Sequence, residues 1–328
     1  MSDEPEYFIG IDGGGTHTRA LLVDDAGYGL GLGTAGPSNY QAVGIEQARE
    51  NILRSVHEAW QQAGIPMRPA TAAFLGMAGV TSETDRGVIA GIAREIHLAE
   101  ITGIDHDIRT ALAGGLAGKE GIALIAGTGS ACYGRRHDGR AWRAGGWGHL
   151  LDDAGSGFWM GVQGLAAITR AHDGRSGPTA LTPRLVEALA ITDMDDMLRL
   201  AGDNGLSRTD IAALTPLILD AAKSGDGTAL DILERGAGEL GSMVRAVAVA
   251  LGWQDRQIPV VLVGGLTADT FYAEMIRSAI MHMVPGVIIS EPLLPPVAGA
   301  VLLALELAGR HPEPAIISAL RSSKPAGT

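Results

Sequence analysis

The chain has 328 residues, the length of one large domain or two ordinary ones. Hydrophobic residues make up 46% of it, which is enough to form a sizeable core. Lysines and arginines number 25 against 37 aspartates and glutamates, so the formal charge is −12, which argues against non-specific binding to a phosphate backbone. The single cysteine, Cys132, excludes an internal disulfide framework and any zinc or iron–sulfur site built from the thiolates of one chain.

Nothing in the sequence indicates a membrane segment. The N-terminus is acidic, unlike a signal peptide, and the longest apolar stretch, residues 296–309, contains Glu306 and is shorter than the ~18 residues that a membrane-spanning helix needs. We therefore expect a cytoplasmic protein that binds neither membranes nor nucleic acid.

Strands and helices alternate in the first part of the chain. In chain order we predict strands at 8–11, 19–23 and about 28–33, a helix at 44–64, a strand at 71–75, a helix through about residue 97, a strand at 100–104 and a helix at 110–118. Ser82 and Asp85 have the spacing of a capping pattern that opens the second of these helices.

The first pattern returns at residue 122. A strand at 122–126 and a Gly/Thr turn at 127–130 precede hairpin strands at 132–136 and 141–144, and the spacing from turn to hairpin is similar in both copies. This indicates an internal duplication. Mostly helical sequence at 157–251, a strand at 259–263 and an apolar helix after the prolines at 292–296 complete the chain.

We therefore predict an α/β fold with two lobes. The small N-terminal lobe is expected to hold residues 1–112 and 296–318, the large C-terminal lobe residues 113–295, and residues 319–328 to form a tail.

One glycine pattern resembles a dinucleotide fingerprint without its context. Gly31, Gly33 and Gly36 fit G-x-G-x-x-G, but Pro37 follows at once and no helix begins until about residue 44, whereas this fingerprint must open a helix. We interpret the segment as a strand. The sequence also contains no P-loop, H-E-x-x-H or G-x-S-x-G motif.

Three other glycine-rich turns, at 12–16, 127–130 and 264–265, each follow an apolar strand directly. Without Cβ atoms, backbone N–H groups can approach an anion closely, and Thr16 and Thr128 add hydroxyl donors. Asp12 cannot bind phosphate, but its carboxylate can hold Mg²⁺ or the water shell of the ion beside the phosphates. The turns therefore predict a phosphate site.

Residues 9–16 (IGIDGGGT) and 125–130 (IAGTGS) resemble the two phosphate loops of the actin/hexokinase/Hsp70 ATPase superfamily, and 263–265 (VGG) resembles its adenosine motif. Within that superfamily the chain is most similar to the N-acetylglucosamine kinase and BadF/BadG/BcrA/BcrD ATPase group. The most specific stretch is 145–157 (GGWGHLLDDAGSG), which resembles a segment of amino-sugar kinases. The resemblance implies a bilobal actin-like fold, two RNase H-like lobes with duplicated β cores, and use of ATP with Mg²⁺.

The resemblance also implies site residues. Those expected to bind ATP are Gly13, Gly14, Gly15, Thr16, Gly127, Thr128, Gly129, Gly264 and Gly265, with Asp12 holding Mg²⁺ through water. Those expected to bind the sugar are Asn39, Asp107, Ser130, Gly146, Trp147, Gly148 and Asp153, with Asp107 as the catalytic base.

Several of these assignments have alternatives. Asp107 can instead cap the helix predicted from about residue 110, with Asp105 as the rival base, and Asp153 can cap the helix from about residue 157, with Asp152 as the rival sugar contact. Considered alone, Trp147 is interpreted as a core residue that anchors a hairpin. His149 is expected to be a packed or loop histidine.

The function implied is an ATP-dependent kinase, expected as a homodimer, that phosphorylates N-acetylglucosamine or glucosamine, with the 6-hydroxyl as the expected acceptor. The alternative is a BadF/BadG-type ATPase that acts as a conformational switch for a protein partner. The reductive activators of that group carry two cysteines per subunit for a shared cluster, and Cys132 alone does not supply them.

Overall fold

The computed structural model describes residues 5–200, 202, 205–253 and 256–322. The chain divides into two units of similar length, Met1–Ala123 with Glu291–Thr328, and Leu124–Ser290. The first boundary therefore lies later than the predicted 112/113, and the second lies before Glu291, earlier than the predicted 295/296.

The first unit is built on a mixed sheet of five strands in the order β3-β2-β1-β4-β5. The strands are β1 (Tyr7–Gly13), β2 (Thr18–Asp24), β3 (Gly29–Ala35), β4 (Ala70–Met77) and β5 (Ala99–His106). Strands β1 to β3 form an antiparallel meander, whereas β4 runs parallel to both β1 and β5. The helices are α1 (Tyr40–Val43), α2 (Ile45–Ala63), α3 (Glu83–Glu95) and α4 (Asp107–Gly115), and from the end of the chain α12 (Pro296–Leu307) and α13 (Pro314–Ser322).

The central strand β1 contributes to a core on both faces of the sheet. Ile9 and Ile11 belong to the cluster that includes Trp60 of α2, whereas Phe8 belongs to the cluster that includes Val301 of α12. This alternation follows from the two-residue period of a strand. It explains why β1 is apolar from Tyr7 to Ile11, as is usual for a strand covered on both faces.

Gly31 and Gly33 lie in β3 and allow α2 to pack closely on this strand. A Cβ atom at Gly31 would lie 2.0 Å from the carbonyl oxygen of Ala59, and one at Gly33 would lie 1.8 Å from that of Ser55. The segment is therefore a strand, as predicted, and its glycines are explained by the packing of a helix against it.

The second unit has a five-stranded sheet in the order β10-β9-β6-β7-β8. The strands are β6 (Gly121–Ala126), β7 (Ser130–Arg135), β8 (Ala141–Gly145), β9 (Ile258–Val263) and β10 (Val287–Ser290). Helices are α5 (Gly157–His172), α6 (Leu181–Ala188), α7 (Asp196–Leu200), α8 (Arg208–Ala212), α9 (Thr215–Lys223), α10 (Gly227–Ala250) and α11 (Thr270–Met283), with a 3₁₀ turn at Gly265–Ala268. Read from β8 to β10, the chain order of the strands is that of the first sheet, so the duplication predicted from the sequence is present in the topology.

The structure corrects the prediction at the C-terminus. Residues 319–322 are not a tail, because they complete α13, in which Ala319 and Leu320 are buried. Residues 323–328 lie outside the described residues. Strand β10 and helix α11 were not predicted. No helix in the described part of the chain is both long enough and apolar enough to cross a membrane.

Candidate active site

The first glycine turn joins β1 and β2 and is held by three backbone hydrogen bonds. Gly14 N–H donates to the His17 carbonyl at 2.8 Å, and the carbonyls of Gly14 and Gly13 accept from Ser38 at 3.2 Å and from Ala78 at 2.7 Å. A Cβ atom at Gly13 would lie 2.5 Å from Ser38 Oγ, whereas no atom lies within 4 Å of a Cβ built at Gly15. The turn is therefore anchored on one side and open at Gly15.

Asp12 lies beside this turn, at the carboxyl end of β1. Burial raises the pKa of Asp12 from 3.8 to about 7, the negative charge of Asp107 adds to the rise, and Arg19 opposes it. A carboxylate in this position gains from a nearby cation. It fits Mg²⁺, which proteins commonly bind through one or two carboxylates together with water and substrate phosphates.

Asp12 and the Asp105–Asp107 segment lie at the same edge of the sheet. Asp12 pairs with Gly76 of β4, and Gly76 pairs with Asp105 of β5. Because the three strands are parallel, their carboxyl ends meet there. The first unit thus brings together the first phosphate turn, the candidate Mg²⁺ ligand and the candidate base.

Asp105 is occupied by two arginines. Its carboxylate accepts from Arg86 Nη2 at 3.0 Å and from Arg109 Nη1 at 2.8 Å. Burial by itself raises the pKa of Asp105, but the hydrogen bonds from Arg109, the His106 amide and Arg86 outweigh it and lower the pKa below its usual value. A carboxylate held in this way is a weak acceptor for a substrate proton.

Asp107 is the first residue of α4, and the residue that caps this helix is His106, whose Nδ1 accepts from Ile108 N–H at 3.3 Å. The alternative role of Asp107 as a cap is therefore wrong. Asp107 Oδ1 lies 2.5 Å from the same Nδ1. While Nδ1 accepts from Ile108, Asp107 Oδ1 is buried and has no donor among the described residues.

Asn39 caps the short helix α1 by accepting from Gln41 N–H at 3.2 Å. It packs against Gly79, where φ is +84° and a Cβ atom would lie 2.5 Å from Asn39 Oδ1. The preceding Ser38 hydroxyl is buried and has no partner within the described ranges. The half-buried Asn39 is therefore held in place next to the first phosphate turn.

The second glycine turn, at 127–130, joins β6 and β7 and is attached to the start of α5. The carbonyls of Gly127 and Thr128 accept from Gly157 N–H at 2.8 Å and Phe158 N–H at 3.2 Å. In the part of the chain that the structure describes, no protein acceptor is bonded to the amides of Thr128 and Gly129. These amides are available to an anion, because the turn is anchored through its carbonyl groups.

The buried carboxylate of Asp153 supports the second glycine turn through a hydrogen bond. One carboxylate oxygen accepts from Ser130 N–H at 3.2 Å and the other from Arg208 Nη2 at 2.6 Å, and the side chain is only 4% exposed. A Cβ atom at Gly129 would lie 2.4 Å from Arg208 Nη2. Helix α5 is capped by Ser156, so the alternative role of Asp153 as its cap is wrong. Sequence reasoning missed Arg208, because no local motif marks it.

The segment after β8 is a series of glycine turns. Gly145, Gly146 and Gly148 have φ values of +76°, +72° and +86°, which favour glycine. Trp147 is 67% exposed and lies under the Arg143 guanidinium, 5.1 Å from its ring centre, so the interpretation as a core anchor is wrong. A tryptophan face with backbone amides on both sides is therefore exposed to solvent.

His149 and Asp152, which follow Trp147 in this segment, were also considered in the sequence analysis. His149 is exposed in a turn and contacts Phe158 edge-on, with ring centres 5.1 Å apart, so of the two expectations it is the loop histidine. Asp152 Oδ2 is buried and has no hydrogen-bond partner among the residues described.

The third glycine turn follows β9 and lies next to the second. Gly264 has φ +107°, and a Cβ atom there would lie 2.4 Å from the carbonyl oxygen of Ala126, the last residue of β6. The second unit therefore brings together the turns at 127–130 and 264–265, and the Asp153 carboxylate is hydrogen-bonded to the first of these two turns.

The chain is similar to several known proteins over most of its length. A protein from Clostridium acetobutylicum named N-acetylmuramic acid/N-acetylglucosamine kinase is 31% identical over 81% of this chain and 87% of its own length. N-acetyl-D-glucosamine kinase from Dictyostelium discoideum is 33% identical over 92% of this chain and 98% of its own. A protein from Chromobacterium violaceum assigned as an N-acetylglucosamine kinase has a solved structure that matches with a TM-score of 0.76 at 28% identity, covering 91% of this chain and 99% of that one.

These similarities and the two related sheets confirm the predicted α/β fold of the actin-like ATPases. The model of the BadF/BadG/BcrA/BcrD ATPase family matches residues 9–304. The chain belongs to the BadF/BadG/BcrA/BcrD ATPase family.

Proposed function

We propose that the protein is an ATP-dependent kinase that phosphorylates a hydroxyl of an amino sugar, N-acetylglucosamine or glucosamine, with the 6-hydroxyl as the acceptor. The names of the relatives support the substrate class. The observation that carries the proposal is Asp107, a carboxylate at the same sheet edge as the first phosphate turn: in the described part of the chain neither Arg86 nor Arg109 pairs with it, whereas both bind the neighbouring Asp105.

In this proposal the nucleotide is bound mainly by backbone groups. The turns at Gly13–Thr16 and Gly127–Gly129 would bind the phosphates through amides that have no protein acceptor among the described residues, such as those of Thr128 and Gly129. Gly264 would bring the third turn close to β6, and Gly265, with nothing within 4 Å of its Cβ, would leave room for the nucleoside. A protein with a net charge of −12 needs such local donors, because its overall field repels an anion.

Asp12 would hold Mg²⁺ through water. The ion would supply charge neutralisation for the phosphates during transfer. Asp12 would then be held in its ionised form despite its burial.

Phosphoryl transfer needs an acceptor oxygen in line with the terminal phosphate and a base for its proton. In the proposed step, the sugar hydroxyl oxygen forms a bond to the γ-phosphorus, the bond to the leaving oxygen of ADP breaks, and the hydroxyl proton passes to Asp107. A positioned base contributes about 10²–10⁴-fold to the rate.

The sugar would be bound by polar side chains and by the exposed glycine segment. Asn39 and Ser130 would hydrogen-bond hydroxyls or the N-acetyl group, and Trp147 would cover an apolar face of the ring between Gly146 and Gly148. Asp153 stays a predicted sugar contact, although both of its carboxylate oxygens already accept hydrogen bonds.

We also expect the enzyme to act in the cytoplasm as a homodimer on a small molecule, without nucleic acid or a membrane. Light scattering of the purified chain tests the dimer.

The test is ADP release measured with and without a panel of amino sugars. A kinase releases ADP faster with the right sugar, and Asp107→Asn should lower that sugar-dependent kcat by about 10² or more while the KM for ATP changes little. Asp105→Asn is the matched control and should retain most of the kcat. ADP release that no sugar accelerates would contradict the proposal and favour the alternative, a conformational switch for a protein partner.

A further inference from the structure

His106 lies between the two carboxylates at the end of β5 and contacts the second of them. Its Nδ1 is 2.5 Å from Asp107 Oδ1, and the two side chains are only 16% and 23% exposed. The same nitrogen is 3.3 Å from the Ile108 amide nitrogen. One imidazole nitrogen therefore has two neighbours, a carboxylate and an N–H group.

His106 Nδ1 can form a hydrogen bond with only one of these two neighbours at a time. Without a proton, Nδ1 accepts from Ile108 N–H with its one lone pair and offers the Asp107 carboxylate no donor. With a proton, Nδ1 donates to Asp107 Oδ1, and a hydrogen bond to an ionised acceptor is roughly twice as strong as a neutral one. The shorter distance is the one to Asp107, which favours the second arrangement.

Among the described residues, no hydrogen bond or ion pair joins the Asp107 carboxylate to a side chain other than His106. Arg86 and Arg109, which contact the neighbouring Asp105, are both bound to that carboxylate. The charge of Asp12 repels that of Asp107, as the raised pKa of Asp12 indicates. An N–H donor at Oδ1 is therefore what the Asp107 carboxylate lacks, and His106 is the group within reach.

We propose that His106 is a positioning residue that donates from Nδ1 to Asp107 Oδ1 and so orients the other carboxylate oxygen, Oδ2, toward the acceptor hydroxyl. The inference rests on the proposed function, in which Asp107 is the base. A carboxylate that rotates freely places its basic oxygen correctly for only part of the time, and misplacement by about 1 Å can cost about 10²-fold in rate.

Two substitutions separate positioning from helix capping. Serine and asparagine cap helices about equally well, so both variants should keep the stability of α4. Asparagine carries both an acceptor for Ile108 and an N–H₂ donor that can reach Asp107, whereas the serine hydroxyl is closer to its own backbone and cannot span the gap to the carboxylate.

The measurements are kcat, the KM for ATP and the melting temperature of the full chain. His106→Ser should lower kcat about 10- to 100-fold with the KM for ATP and the melting temperature close to those of the parent, and His106→Asn should recover most of the kcat. Equal kcat values for the two variants would overturn the proposal, because they would show that His106 only caps the helix.

The Asp107→Asn background separates this inference from the proposed function. A residue that acts through Asp107 should cause little further loss there, so an additional fall of the same size from His106→Ser would also overturn the proposal. If Asp107→Asn alone retained normal sugar-dependent turnover, it would be the assignment of the base that had failed.

Discussion

Asp85 is a buried carboxylate that fixes the start of α3 next to the segment carrying Asn39. It accepts from the Tyr40 hydroxyl at 2.5 Å and from the backbone N–H groups of Thr81 and Ser82 at 2.9 and 2.8 Å. Burial by itself raises the pKa of Asp85, but these hydrogen bonds outweigh it and hold the pKa well below the usual value of 3.8. The ionised form is therefore stabilised by folding.

The sign of the resulting pH dependence follows. Because the folded pKa is lower than the unfolded one, the stability contributed by Asp85 is complete above about pH 5 and is lost as the pH falls below about 4. Asp85→Asn removes the titrating group, so the difference in unfolding free energy between parent and variant, about 1–3 kcal/mol at neutral pH, should shrink below about pH 4. Urea unfolding at several pH values measures it.

The exposed Asp195 provides the control for this experiment, since Asp195→Asn should leave the unfolding free energy nearly unchanged at every pH. A parent–variant difference for Asp85→Asn that stayed constant down to pH 3 would show that the hydrogen bonds do not favour the charged form.

At the scale of elements, β3 and α2 can pack closely because glycines in β3 carry no Cβ atoms. Gly31→Ala would place a methyl group 2.0 Å from the carbonyl oxygen of Ala59, so the helix has to move away. We expect the unfolding free energy to fall by about 1–3 kcal/mol or more, as in other overpacked contacts. Gly87→Ala is the matched control, because nothing lies within 4 Å of its Cβ in the exposed interior of α3 and helix propensity should add about 0.5–1 kcal/mol.

Chemical denaturation of both variants measures the two changes in unfolding free energy. If Gly31→Ala were as stable as the parent, the close approach of β3 and α2 would not be what requires glycine there.

The ion pair between Arg208 and Asp153 ties α8 to the second phosphate turn. Arg208→Gln leaves the buried Asp153 carboxylate without its counter-charge, and we expect a loss of about 1–3 kcal/mol, reduced by solvent because the arginine is 37% exposed. Adding Asp153→Asn should recover part of this loss, since a neutral amide needs no counter-charge. A double-mutant cycle in urea measures the coupling.

The exposed pair of Arg175 with Asp173 provides the comparison, since Arg175→Gln should have no measurable effect on stability. Additive losses in the Arg208 and Asp153 cycle would contradict a direct ion pair.

The elements also show where sequence patterns suffice and where they do not. Long apolar strands such as β1 and the capping box of Ser82 and Asp85 could be predicted because their signal is local. Strand β10 was missed because its four residues alternate too briefly to give a period. The alternative roles of Asp107 and Asp153 as caps are wrong because α4 is capped by His106 and α5 by Ser156, and a local pattern does not choose between polar residues within one turn of each other.

For the whole molecule, the sequence predicted the duplication but not the boundaries between the units. The two sheets share one strand order, and each carries a glycine turn after its first strand, β1 or β6. The first boundary falls after Ala123, inside β6, where no change of composition marks it. The exposure of Trp147 likewise depends on tertiary packing, which the spacing of residues along the chain does not encode.

Ligand binding should raise the stability of the whole chain. A ligand that binds only the folded state adds about 2.7 kcal/mol of stability at a concentration of 100 Kd, which for a chain of this size corresponds to a rise in melting temperature of about 4 °C. A kinase has separate sites for nucleotide and sugar, so a non-hydrolysable ATP analogue and the correct amino sugar should each give such a shift, and together a larger one. Scanning calorimetry with N-acetylglucosamine, glucosamine and N-acetylmuramic acid would rank the substrates without relying on turnover. A shift with the nucleotide but with none of the sugars would favour the conformational switch, because that function requires no sugar site.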